Sequence, residues 1–127
     1  MPAKQVYEYA VLRYLPQVER EEFLNLGVIV FSKRLRYLGV KYRLDEARIR
    51  AFHPEVDFAE IAAYLKGWDE ICADGPSGGR IGELNHAGRF RWLTASRSTV
   101  IQCSAVHPGL TADPAAELQR LFDFYLG

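Results

Sequence analysis

Phe23-Leu-Asn-Leu-Gly-Val-Ile-Val-Phe31 is the stretch on which the fold turns. Its second half, Val28 to Phe31, is an unbroken apolar run of β-branched and aromatic residues. That is the pattern of a central strand buried on both faces. Gly27, directly ahead of the run, marks a bulge or a point where another backbone or a ligand comes close.

Working backward, Val6 to Leu15 is rich in tyrosine, valine and leucine and is closed by Pro16, which predicts a first strand. Its two sides are not cleanly polar and apolar, so both are expected to be partly covered. Working forward, Ser32 to Leu35 forms a turn and Arg36 to Arg43 returns as a strand. There Leu38, Val40 and Tyr42 alternate with Tyr37, Gly39 and Lys41. The turn carries neither Asn-Gly nor Asp-Gly, so a loop of several residues is expected.

Helices follow the hairpin. Asp45 is placed to cap a short helix over residues 46–52, stopped near Pro54. Asp57 with Glu60 opens a second, running to about Cys72, whose Phe58, Ile61, Leu65, Trp68 and Ile71 make one apolar stripe. A glycine-rich segment from Gly75 to Gly82 comes next; it lacks the lysine and hydroxyl of a phosphate loop and reads as a connector. Arg89 to Gly109 then reads as strand material, with strands expected at Phe90–Leu93 and Thr99–Ser104 and a break at Pro108-Gly109. Asp113 caps a last helix with Pro114 at its first position, and Leu118, Leu121, Phe122 and Tyr125 give it an apolar stripe.

Strands followed by helices predict one α+β domain over residues 1–127. The expectation is a mostly antiparallel sheet of about five strands with helices packed on one face. The formal charge is zero, so no bulk field draws the chain to nucleic acid or anionic lipid. Two isolated cysteines, Cys72 and Cys103, make neither a disulfide framework nor a zinc site. With no apolar leader and no membrane-length apolar run, a cytoplasmic location is expected. The residues suggest no cofactor and no metal.

The densest polar feature is Thr94-Ala-Ser-Arg-Ser-Thr99, a knot of hydroxyls around Arg97, with Arg91 just before it. A guanidinium offers a planar fork of donors to carboxylate or phosphate, and Ser98 and Thr99 add hydroxyls. The same residues also suit a polar turn in which Arg97 pairs with Glu19 or Glu22. A second candidate is Glu22 with Asn25 ahead of Gly27, fit to orient a ligand or to satisfy buried strand ends. In an enzyme acting on a phosphorylated or nucleotide substrate, Arg91 and Arg97 would hold the anion while Glu22 or His107 moved a proton. In a nucleic-acid binder, the basic hairpin would meet phosphates and Tyr37 or Tyr42 would stack on bases. Residues 33–50 hold seven basic side chains against two acidic, and residues 55–74 hold six acidic against one basic, a contrast that also fits solvated faces.

Four blocks, Tyr7–Tyr14, Glu22–Phe31, Phe90–Gln102 and Val106–Gly109, resemble the bacterial family called domain of unknown function 3037. Ser96 stands where members usually carry proline, and Cys103 where a proline is common, which leaves this turn less rigid. The resemblance implies no established activity. It implies an accessory or regulatory partner of a HipA-like kinase protein, because members look like neighbours of such proteins. Its motifs fall on Arg13, Glu22, Asn25, Gly27, Arg97, Ser98, Thr99 and His107. The leading expectation is a non-catalytic binding module.

Overall fold

The structure, a computed structural model, describes residues 3–73, 81, 84–95 and 99–127. The glycine-rich segment, save Ile81, and the centre of the polar knot, Ser96 to Ser98, lie outside the described residues. Five strands form one antiparallel sheet: β1 (Gln5–Tyr14), β2 (Leu24–Ser32), β3 (Tyr37–Tyr42), β4 (Ile101–Cys103) and β5 (His107–Thr111). Among the described residues the α-helices are α1 (Glu46–Phe52), α2 (Phe58–Cys72), α3 (His86–Thr94) and α4 (Pro114–Leu126). The α+β architecture expected from the sequence is the one observed.

The sheet runs β3-β2-β1, and the free side of β1 is shared by β4, against Leu12 to Tyr14, and β5, against Gln5 to Tyr9. Between them Ser104 keeps the ladder joined. Its N–H donates to the Val11 carbonyl at 2.8 Å and its Oγ accepts from the Val11 N–H at 2.8 Å.

Gly27 does both things asked of it. In the β1–β2 register Leu12 faces Gly27 and Arg13 faces Asn25, so Leu26 is an extra, unopposed residue: a bulge. A Cβ on Gly27 would lie 2.3 Å from the Lys41 carbonyl oxygen, so only glycine lets β3 approach there. The bulge also shifts the alternation, which puts Leu24 and Leu26 on the same side as Ile29 and Phe31.

That side carries α1, α2 and α3. Ile49, Val56, Ile61, Leu65, Trp68, Phe90 and Leu93 pack with Ala10, Leu12, Tyr14, Ile29 and Phe31 in one core. The expectation of helices on a single face is corrected here. Leu118 and Leu121 of α4 pack on Tyr7, Val28 and Val30, which point to the opposite side. An apolar run at four successive positions of β2 demands this, because odd and even residues of a strand bury against different layers.

The helix caps follow local chemistry. The Asp45, Asp57 and Asp113 carboxylates each accept a hydrogen bond at 3.1 Å from the backbone N–H three residues on, as expected. The strand expected at Phe90–Leu93 is instead part of α3, capped by Asn85, whose Oδ1 accepts from the Gly88 N–H at 2.8 Å. Arginines alternating with Phe90 and Trp92 mimic a period of two. The residues that bury are Arg89, Phe90 and Leu93, which share one helical stripe. The chain break expected at Pro108-Gly109 is likewise a strand, β5. A sheet tolerates proline at its edge, and the Tyr7 ring lies over Gly109, where an added Cβ would meet it at 2.6 Å.

Arg89 is nearly fully buried, and its Nη1 donates to the Ile71 and Cys72 carbonyls at 2.7 and 3.2 Å. It thereby satisfies the C-terminal end of α2, where unpaired carbonyls concentrate negative partial charge.

Candidate functional site

Residues directly opposite each other in an antiparallel ladder share a face. Arg13 of β1 lies between Asn25 of β2 and Gln102 of β4, so a guanidinium and two amides form one row across three strands. The row points to the side that carries α4, beyond the Tyr7, Val28 and Val30 contacts on which that helix rests. Beside the row is a depression that Arg13 and Gln102 both line.

The Arg13 guanidinium sits 4.0 Å from the centre of the Phe23 ring, a cation–π contact at the start of β2. Among the described residues Arg13 is the one partly buried arginine that meets no oxygen. Arg48 donates to the Asn25 carbonyl, Arg89 to the end of α2, and Arg20, Arg43, Arg50 and Arg120 are all engaged. The Arg13 Nε and the Asn25 Oδ1 are both buried and both lack a hydrogen-bond partner. One is a donor and the other an acceptor on facing residues, a complementary pair not closed in this conformation. Buried polar atoms without partners are rare enough in folded proteins to require a reason.

Arg13, Leu15, Glu21, Phe23, Gln102 and Cys103 line a depression of about 290 Å³. Glu21 closes a 3-10 turn (Val18–Arg20) in the left-handed conformation, φ 58°, with its N–H on the Val18 carbonyl at 3.1 Å. A non-glycine residue at positive φ is uncommon and such strain collects at functional positions.

The expected site residues divide. Arg13 and Asn25 come together, and Thr99 flanks the same end of the sheet, its hydroxyl donating to the Ile101 carbonyl at 2.7 Å. Gln102 ties back to this flank through its Nε2, 2.8 Å from the Thr99 carbonyl oxygen. Glu22 turns away: its carboxylate pairs with Arg20 at 2.6 Å, and both line a neighbouring depression of about 350 Å³ with His53 and Glu55. Arg91 is exposed on α3, on the other side of the sheet. His107 shares the Arg13 side but stacks near Tyr9 at 5.3 Å. Tyr9 is four residues along β1, or about 13 Å from Arg13 at strand rise. Arg91, Glu22 and His107 therefore do not converge. Arg97 and Ser98 lie outside the described residues. Glu21, Phe23 and Gln102 were not picked out by the sequence reading; the positive φ and the cross-strand register that recruit them exist only in the fold.

Other chemistry is committed to packing. Burial pushes the Cys72 thiol up to about 12, away from a reactive thiolate. Cys103 faces Leu12 on one side of the sheet and His107 faces Tyr9 on the other, so they form no couple. Near His107, Tyr9 and Tyr125 share a hydroxyl contact at 3.1 Å and Tyr7 donates to Glu117 at 2.7 Å. The Tyr125 contact and burial raise Tyr9 to about 12; burial and then Glu117 raise Tyr7 to about 12. The basic hairpin is largely spoken for. Lys41 bonds Gln119, Arg43 Nη1 donates to the Leu126 carbonyl at 2.8 Å, Tyr42 bonds Asp69 and Tyr37 packs under α4. Lys33, Arg34 and Arg36 are left as an exposed basic tip.

A family model described as Protein of unknown function (DUF3037) matches residues 9–126, from the middle of β1 to the end of α4. The chain belongs to this family. No curated protein and no solved structure matches it. The sequence blocks that resemble the DUF3037 family overlap β1 from Tyr7, β2 as far as Phe31 and β4 as far as Gln102. The Arg13 row lies within the matched residues. Among the described residues no helix is long and apolar enough to cross a membrane, and no three His, Cys, Asp or Glu side chains gather as metal ligands do.

Proposed function

We propose that this protein is a cytoplasmic, non-catalytic binding module whose site is the Arg13 depression, and that it acts as an accessory or regulatory partner of a HipA-like kinase. The observation that carries the reading is Arg13 itself. It is a partly buried guanidinium held on Phe23 with no oxygen partner among the described residues, in the lining of that depression. A folded protein has every reason to pair such a group, and this chain pairs its other partly or fully buried arginines. An anionic group on the partner fits the vacancy in hydrogen bonding. Hydrogen bonds to a charged group are worth about 1.5–3 kcal/mol, or roughly ten- to a hundredfold in affinity.

The test is capture of a co-expressed HipA-like kinase by wild type, Arg13→Ala and Arg91→Ala. Arg13→Ala is expected to weaken capture by about tenfold or more while unfolding at nearly the wild-type temperature. Arg91→Ala, exposed on the other face, is expected to capture normally. Equal capture by Arg13→Ala and wild type overturns the site, and no capture by wild type overturns the partner.

A further inference from the structure

The lining of the Arg13 depression includes one residue of the opposite charge, the exposed Glu21. Glu21 lines the same space, yet it forms no ion pair with Arg13 or with any other described residue. Two opposite charges left apart around one small depression are complementary to a ligand that brings both charges itself. A bare dianion such as phosphate suits the space poorly, since it would meet one guanidinium and one carboxylate. The like-charge contact then offsets part of the gain.

Size points the same way. At about 290 Å³ the depression lies at or below the range of roughly 300–1,000 Å³ usual for drug-sized ligands. Leu15 and Phe23 supply apolar surface for a side chain. Gln102 uses its Nε2 on the Thr99 carbonyl, which leaves its Oε1 as an acceptor on the same row. The lining therefore offers one anion-binding group, one cation-binding group, a neutral acceptor and an apolar floor.

We propose that the ligand of this depression is a free α-amino acid, bound as the zwitterion with its carboxylate on Arg13 and its ammonium on Glu21. This rests on the reading of the Arg13 depression as the binding site. It adds that the partner contact there is open to competition by a small metabolite of that class.

The experiment is an NMR titration of the full chain, following the backbone amides of Phe23 and Gln102. The probes are glycine, leucine, lysine and glutamate, with sodium acetate, methylammonium and inorganic phosphate as single-charge comparisons. Saturable shifts are expected with at least one amino acid, at affinities about tenfold or more above acetate and methylammonium. Arg13→Ala and Glu21→Gln should each abolish that preference, and Glu21→Gln should strengthen phosphate binding by removing the repelling carboxylate. Acetate or phosphate binding as tightly as every amino acid overturns the proposal, as does no shift with any of them. If the kinase is captured through Arg13 while no amino acid binds, this inference falls and the binding-module reading stands. If amino acids bind while kinase capture ignores Arg13, the depression is not the kinase contact and the ligand stands.

Discussion

Among the described residues, on one side of the sheet three helices and the strands beneath them bury fourteen apolar residues in one cluster; on the other a single helix and the strands beneath it bury five. Both sides grow from the same strands, and β2 serves them alternately, Ile29 and Phe31 to one, Val28 and Val30 to the other. The first side carries the larger core. The second stops short, and the unpaired Arg13 stands where the packing ends. Function in so small a domain has little room inside a core, and the incomplete layer is where a polar row can remain accessible.

Removing the same side chain from each layer should give the largest difference between them. Leu65 of α2 is fully buried in the large cluster, and Leu121 of α4 is 3% exposed in the small one. Leu→Ala substitutions in cores cost about 2–5 kcal/mol, the larger values where the surroundings cannot collapse into the cavity. Leu65→Ala is expected near the top of that range and Leu121→Ala near the bottom, read from urea unfolding. Equal losses would mean that α4 is as rigidly packed as the three-helix layer, and the asymmetry would lose its energetic meaning.

A smaller effect separates the faces by pH. Tyr7 and Tyr9, on the α4 side, are raised to about 12 from an ordinary 10, Tyr7 chiefly by burial and Tyr9 chiefly by its hydrogen bond to Tyr125. A raised folded-state value stabilises the fold fully below the unfolded value of 10. The contribution is lost as pH rises from 10 through 12. On the three-helix side Tyr42 is raised to about 12 by burial and then by Asp69. Stability should therefore decline above pH 10, and Tyr7→Phe with Tyr9→Phe should flatten the decline more than Tyr42→Phe. The check is thermal unfolding at a series of alkaline pH values; an unchanged slope in the double variant would contradict it.

How far the fold was legible follows the range of each cause. Asp45, Asp57 and Asp113 act within three residues of themselves, so their helices could be read directly. Gly27 was legible as a bulge because only a close approach explains glycine ahead of a buried strand. Phe90 to Leu93 was misread because alternating arginine and aromatic residues satisfy a strand pattern, while Asn85, the cap that reveals α3, lies at the edge of the glycine-rich stretch. Pro108 misled because the edge position that excuses it is a property of the assembled sheet. For the site, Asn25 was visible as a polar group ahead of a buried strand and Arg13 through the family resemblance, whereas Arg91 and His107 were grouped with the other candidates by sequence alone. The layers then sent Arg91 to the other face and left His107 four residues along the strand.

The gentlest test concerns Glu21, where the two explanations of one residue diverge. Its φ of 58° is a conformation that L-residues adopt at a cost of roughly 1–2 kcal/mol and glycine adopts freely. Glycine gives back roughly 0.5–1 kcal/mol through the greater freedom of the unfolded chain. Glu21→Gly should therefore leave stability within about 1 kcal/mol of wild type, on the stabilising side, when measured by urea unfolding. If Glu21 served only to close the turn after Arg20, that substitution would improve the fold and change nothing else. If its carboxylate completes the site opposite Arg13, the variant keeps its stability and loses the ligand, a result that no packing role for Glu21 can produce.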